Sequence, residues 1–203
     1  GVHTPIRLFC PVELEGALQP ALDAFSVMHR WPMVVDLVPM APGDTHELAN
    51  NLYVRAFRTL HTVPSLGYIL FRSVSKLKSE FLGLDGQEIH RRRIAGEDLF
   101  WKDERLEFAY ATDTLPDVLD RTPELLKVAN LVLECTFLDD RKSVKAARAG
   151  CHIHLDQLLP YMDKFENENI VLMHFSQLYS PIEVRQIFDA SCPTELRERL
   201  QLL

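Results

Sequence analysis

Apolar residues recur at spacings of three and four from Glu13 to Met28, through Leu14, Leu18, Leu22, Phe25 and Met28. That period predicts a helix, and Pro20 inside it predicts a break or the first turn of a second helix. Ile6–Cys10 before it reads as a strand stopped by Pro11. After it, Val34–Met40 reads as a strand and Ala41-Pro42-Gly43-Asp44 as a turn. Leu52–Leu60 alternates as a strand does, and Tyr68–Phe71 follows as another. Ser75 to Gly96 is polar and broken by Gly83, Asp85-Gly86 and Gly96, which predicts short surface helices and loops. Glu107–Ala111 is a buried-strand pattern, Pro116 to Lys127 a helix, and Leu131–Leu133 a second buried run. Helices are predicted over Asp140–Ala149 and Leu155–Glu166, with Ile170–Met173 the last core strand. Pro181–Phe188 and Thr194–Leu202 close the chain as helices. Strands alternating with helices make this an α/β chain, antiparallel in character in its first half and parallel in its second.

The runs at 131–133 and 170–173 each hand over abruptly to an ionisable residue, Glu134 and His174. Functional groups of open α/β sheets gather where such strands end, at their carboxyl edge. Glu134, His152, His154 and His174 therefore fall in one segment that could bind metal or move protons.

At 203 residues, 47% apolar and 25% charged, the chain is long enough for one sizeable core, and no linker divides it. The net charge of −7 argues against sequence-independent nucleic-acid binding over the whole surface. His90-Arg91-Arg92-Arg93 is a local basic run, read first as a soluble helix face and second as a phosphate contact. Cys10, Cys135, Cys151 and Cys192 form no Cys-x-x-Cys pair, which predicts reduced thiols in a cytoplasmic-type compartment. No run approaches membrane-span length and nothing resembles a signal peptide, so no membrane partner is expected. The chain opens at Gly1 straight into a strand-like pattern, which predicts further sequence upstream.

Each candidate residue has a plain alternative. His61 before Val63-Pro64-Ser65 reads equally as a loop histidine held by a backbone carbonyl. Asp113, between two threonines, reads on pattern alone as the cap of the helix near Pro116. His174 ends a buried run and needs a partner for each ring nitrogen, which metal ligation or proton transfer supplies. His152 and His154 share a face only on a strand, as a metal clamp or as an exposed pair. Glu134 orients a histidine or merely ends a strand. Asp139 and Asp140 read as a solvated turn and cap.

Taken together, Leu60-His61-Thr-Val-Pro-Ser-Leu-Gly67-Tyr68, Ala111-Thr-Asp113-Thr114, Glu134-Cys-Thr-Phe-Leu-Asp-Asp, Gly150-Cys-His152 and Leu172-Met-His174-Phe-Ser176-Gln-Leu-Tyr179 resemble ribonuclease Z in order and style. That family comprises zinc-dependent endonucleases of the metallo-β-lactamase superfamily that trim the 3′ end of precursor tRNA. The resemblance runs from about Thr4 to about Arg185. It implies a single metallo-β-lactamase-like αββα sandwich over residues 1–203, with the N-terminal part of that fold absent. It implies His61 and His174 as histidine ligands of two zinc ions and Asp113 as the bridging carboxylate. It implies Glu134 and His152 as the pair that protonates the leaving oxygen, precursor tRNA as the RNA partner, and a homodimer.

Two departures stand out. The family's His-x-His-x-Asp-His motif, which supplies most remaining ligands, occurs nowhere in the chain; His152-Ile-His154-Leu-Asp156 echoes only its opening. Leu178 replaces the arginine usual in the Ser-x-Arg-Tyr signature. The gap between Tyr68 and Asp113 is also short for the family's tRNA-gripping arm. The expectation is thus a metal-dependent hydrolase, weak or inactive alone unless the missing ligands are supplied. The rivals are a non-catalytic subunit of the same fold and a metallohydrolase for another phosphodiester or ester.

Overall fold

The computed structural model describes residues 5–203; Thr4, where the resemblance begins, and Gly1 lie outside the described residues. Strands β1 (Ile6–Pro11) and β2 (Val35–Met40) pair in parallel as a two-stranded sheet, joined by helix α1 (Glu15–His29). This parallel pair departs from the expectation of an antiparallel first half. Pro20 does not break α1: Gly16 and Pro20 lie on its exposed side, so the carbonyl freed by the missing amide faces water. Arg30, at φ 53°, ends the helix in the left-handed conformation.

The larger sheet holds seven strands in sequence order: β3 (Thr45–Ala49), β4 (Leu52–Arg58), β5 (Leu66–Leu77), β6 (Phe100–Tyr110), β7 (Asn130–Glu134), β8 (Asn169–Met173) and β9 (Leu200–Leu202). From β3 to β6 each pair is antiparallel, and from β6 to β9 each is parallel. The hairpin joining β3 to β4 turns through Asn50 and Asn51, at φ 49° and 63°, the left-handed pair that a two-residue turn requires. Between β5 and β6 lies helix α2 (Gly86–Ile94), capped by the Asp85 carboxylate, which accepts from the Glu88 amide at 2.8 Å.

The segments after β6 are shorter than the pattern predicts. Helix α3 (Val118–Arg121) stops at Thr122 because Pro123 forbids its continuation, and a 3-10 turn over Pro123–Leu126 follows. Helix α4 (Val144–Ala149) starts on a Ser143 cap. Helix α5 (Leu155–Leu158) gives way to a 3-10 stretch over Leu159–Lys164, where Pro160 removes a donor. After helix α6 (Pro181–Ser191), the predicted helix over Thr194–Leu202 divides into helix α7 (Thr194–Arg197) and β9. The edge of β8 overrides the local pattern there, since Leu200 and Leu202 extend its ladder.

Leu131, Leu133, Ile170 and Leu172 of the two central parallel strands sit in the main core, with Val184 and Phe188 of α6 and Leu155 and Leu158 of α5. Burying each such side chain contributes roughly 1.5–3 kcal/mol. A smaller cluster of Met40, Ala56 and Leu66, with Phe9 and Tyr68 against it, joins the two-stranded sheet to β4 and β5. The Tyr68 hydroxyl donates to the Phe9 carbonyl at 3.0 Å across that junction. Gly67 in β5 faces Phe57: a Cβ there would lie 2.1 Å from the ring, so the aromatic covers the strand at that point. No helix among the described residues is long and apolar enough to cross a membrane.

Candidate metal centre

Because β4, β6, β7 and β8 all run in one direction, their carboxyl ends lie along one edge of the sheet. His61 follows β4, Asp113 follows β6, Glu134 ends β7 and His174 follows β8. His152 enters from the loop between α4 and α5. All five sequence-predicted residues therefore meet at that edge. The His152 ring lies 6.0 Å from the His61 ring and 5.2 Å from the His174 ring, centre to centre. His174 Nε2 is 3.8 Å from Asp113 Oδ1.

Local structure holds these loops in place. The Leu60 amide donates to Thr114 Oγ1 at 2.9 Å, tying the His61 loop to the Asp113 loop. The Thr114 amide in turn donates to Glu134 Oε1 at 2.8 Å. Asp113 is not the cap of α3, because that helix starts at Val118 with Asp117 in the cap position. Two residues at the site stand on left-handed backbone: His174 has φ 66°, and Cys151, next to His152, has φ 60°. Each costs of order 1–3 kcal/mol, strain that gathers at functional sites.

Glu134 is buried and takes hydrogen bonds on both oxygens. Oε1 accepts from the Thr114 amide and faces His152 Nδ1 at 3.1 Å. Oε2 accepts from the Ile153 amide at 3.1 Å and from the Thr136 hydroxyl at 2.6 Å. Cys135 beside it is fully enclosed, and burial, with the Glu134 charge second, pushes its thiol well above the ordinary range. It is therefore no nucleophile at neutral pH.

His154 separates from His152. It is buried and caps α5: its Nδ1 accepts from the Asp156 amide at 3.1 Å and its Nε2 donates to the Asp139 carbonyl at 3.2 Å. The His-x-His pair is thus no metal clamp. The Arg91 and Arg92 guanidiniums are engaged by Glu88 on their own helix, in keeping with a solvated helix face.

Arg141 was not among the residues picked out from sequence. Its guanidinium bonds the Leu178 carbonyl and Glu183, each at 2.9 Å, and lies over the Tyr179 ring at 4.3 Å. It also bonds Asp139, whose carboxyl it holds below the ordinary range. A cation from the β7–α4 loop thus lies beside Leu178, where the resemblance leads one to expect an arginine.

His61, Asp113 and His152 offer donor atoms within 4.8 Å of one another, as do Glu134, His152 and His174. Imidazole nitrogens with a carboxylate oxygen form a donor set that suits zinc. The residues present fit such an ion.

No family model matches the chain. It is 32% identical over 191 residues to the tRNase Z TRZ1 of Arabidopsis thaliana, covering 93% of this chain and 68% of that protein. It is 30% identical over 184 residues to the chloroplastic tRNase Z TRZ2 of the same plant, spanning 90% of this chain and 52% of the relative. The chain thus spans between half and about two thirds of the curated relatives it matches. The solved metallo-β-lactamase fold protein YhfI of Bacillus subtilis superposes with a TM-score of 0.57 at 10% identity, covering 98% of this chain and 62% of that one. That likeness speaks for the fold, and the sequence relationship for the lineage: the chain belongs to the ribonuclease Z family of metal-dependent hydrolases, on the metallo-β-lactamase fold.

Proposed function

We propose that the chain carries one side of a two-zinc phosphodiesterase centre that cuts precursor tRNA at its 3′ end. The single observation that supports this most is the convergence of His61, Asp113, Glu134, His152 and His174 at one sheet edge. His61, Asp113 and His174 would hold the ions, Asp113 between them. Zinc, when bound, supplies an activated water and stabilises charge on the phosphodiester.

The rest belongs to the chain's own groups. His152 gives a proton from Nε2 to the leaving oxygen, while Glu134, 3.1 Å from its Nδ1, stabilises the imidazolium and fixes the ring. Three ligands are fewer than two zinc ions need, and a His-x-His-x-Asp-His segment, which this sequence does not contain, would supply the remaining donors. A homodimer and a cytoplasmic setting belong to the same proposal; the four cysteines are free thiols.

The test compares this chain with a form extended by a His-x-His-x-Asp-His segment, on precursor tRNA and on bis(p-nitrophenyl) phosphate. The expected result is weak turnover by the chain and 3′ cleavage by the extended, zinc-loaded form. Full turnover by the unextended chain would contradict the need for outside ligands. The exposed Leu178 and the net charge of −7 favour a second reading, a different phosphodiester substrate. Ester turnover without tRNA cleavage supports that reading, and neither activity supports a non-catalytic subunit.

A further inference from the structure

We infer that Thr136 is a positioning residue, which sets the tautomer of His174 and so aims its bare Nε2 at Asp113. Thr136 lies two residues past Glu134 and is 6% exposed. Its backbone carbonyl accepts from the Ser176 amide at 2.9 Å, which fixes it against the His174 loop. Its hydroxyl touches three groups: Glu134 Oε2 at 2.6 Å, His174 Nδ1 at 2.9 Å and His152 Nδ1 at 3.3 Å.

A hydroxyl has one hydrogen to give. An ionised carboxylate can only accept, and Glu134 is already the target of two backbone amides, from Thr114 and Ile153. The Thr136 hydrogen therefore goes to Glu134, across the shortest of the three contacts. Toward His174 the same oxygen can then only accept, so His174 carries its proton on Nδ1. A neutral imidazole with Nδ1–H has a lone pair on Nε2, the atom 3.8 Å from Asp113 Oδ1. Donation from a ligating histidine to a polar partner is the usual way its ring is oriented and its basicity raised.

The same count bears on the cluster of Glu134, His152 and His174. The Thr136 oxygen lies within hydrogen-bond reach of all three, so the polar atoms facing inward are partnered. That makes the cluster a hydrogen-bonded support, with the cation side formed by Asp113 and His174 Nε2.

The test is long-range proton–nitrogen correlation of the imidazoles in the metal-free chain at about pH 8.5, roughly two units above an ordinary imidazole pKa. Wild-type His174 is expected to show a protonated Nδ1 and a bare Nε2. Thr136→Val removes the acceptor at nearly constant shape, and is expected to mix the tautomers and weaken zinc affinity by about 10–100-fold in chelator competition. Thr136→Ser is expected to restore both. A protonated Nε2 in wild-type His174 overturns the inference whether or not the valine variant folds. So does a Thr136→Val chain matching wild type in tautomer and zinc affinity. The ligand role of His174 rests on the proposed function, whereas the tautomer does not. A chain that binds no zinc fails the functional reading and leaves the tautomer to decide this one.

Discussion

Five ionisable residues, spread from position 61 to position 174, share one sheet edge, and each owes its place to the end of a strand or to a loop held by named bonds. If His152 is the acid and Glu134 its support, Glu134→Gln in a turnover-competent form should lower kcat by roughly 10²–10⁴-fold. KM should change little, because the lost interaction acts on the transition state. Equal kcat for the variant would remove Glu134 from the chemistry. His61, Asp113, Glu134, His152 and His174 were legible in the sequence through their motifs. Thr136 was not, since a threonine carries no signal until its three partners are in view. His154 misled for the opposite reason: its spacing from His152 suggests a shared face on a strand, but the two lie in a loop and the second ring turns inward as a cap.

Elements were legible where the apolar pattern was strong, as in the short runs of β7 and β8 and in α1, although the break predicted at Pro20 is absent. They were illegible where partner strands decide. β9 forms because Leu200 and Leu202 pair with β8, against a local pattern that reads as helix. β3, Thr45–Ala49, lacks a clear alternation, and the signal for it lay in Asn50-Asn51, a two-residue turn pair. β5 extends to Leu77 because β6 accompanies it, well beyond the short run around Tyr68. Gly67 offers a test at this scale. Gly67→Val should destabilise the protein by about 1–3 kcal/mol through overpacking against Phe57, read from urea unfolding. Adding Phe57→Leu should return part of that loss. A neutral Gly67→Val would mean the ring moves aside freely.

For the whole molecule, two salt bridges link stability to acid: Arg148–Asp117, from α4 to the cap of α3, and Arg141–Asp139, within the β7–α4 loop. Arg148 holds the Asp117 carboxyl below its ordinary 3.8 and Arg141 does the same for Asp139, in both cases chiefly by hydrogen bonding. Since the folded pKa is the lower one, this stabilisation is present above about pH 4 and is lost as pH falls through the depressed values. Asp117→Asn should therefore flatten the fall of the urea midpoint below about pH 4. An unchanged slope would assign the acid sensitivity elsewhere. The fold class and the parallel second half were readable from strand and helix alternation, while the parallel β1–β2 pair depends on a crossover helix whose partners lie far apart in sequence. The proposed centre stands or falls on where a cation binds. Crystals grown with zinc and measured at its absorption edge should give an anomalous peak among His61, Asp113 and His174. A peak enclosed by Glu134, His152 and His174, or no peak at this edge of the sheet, would contradict it.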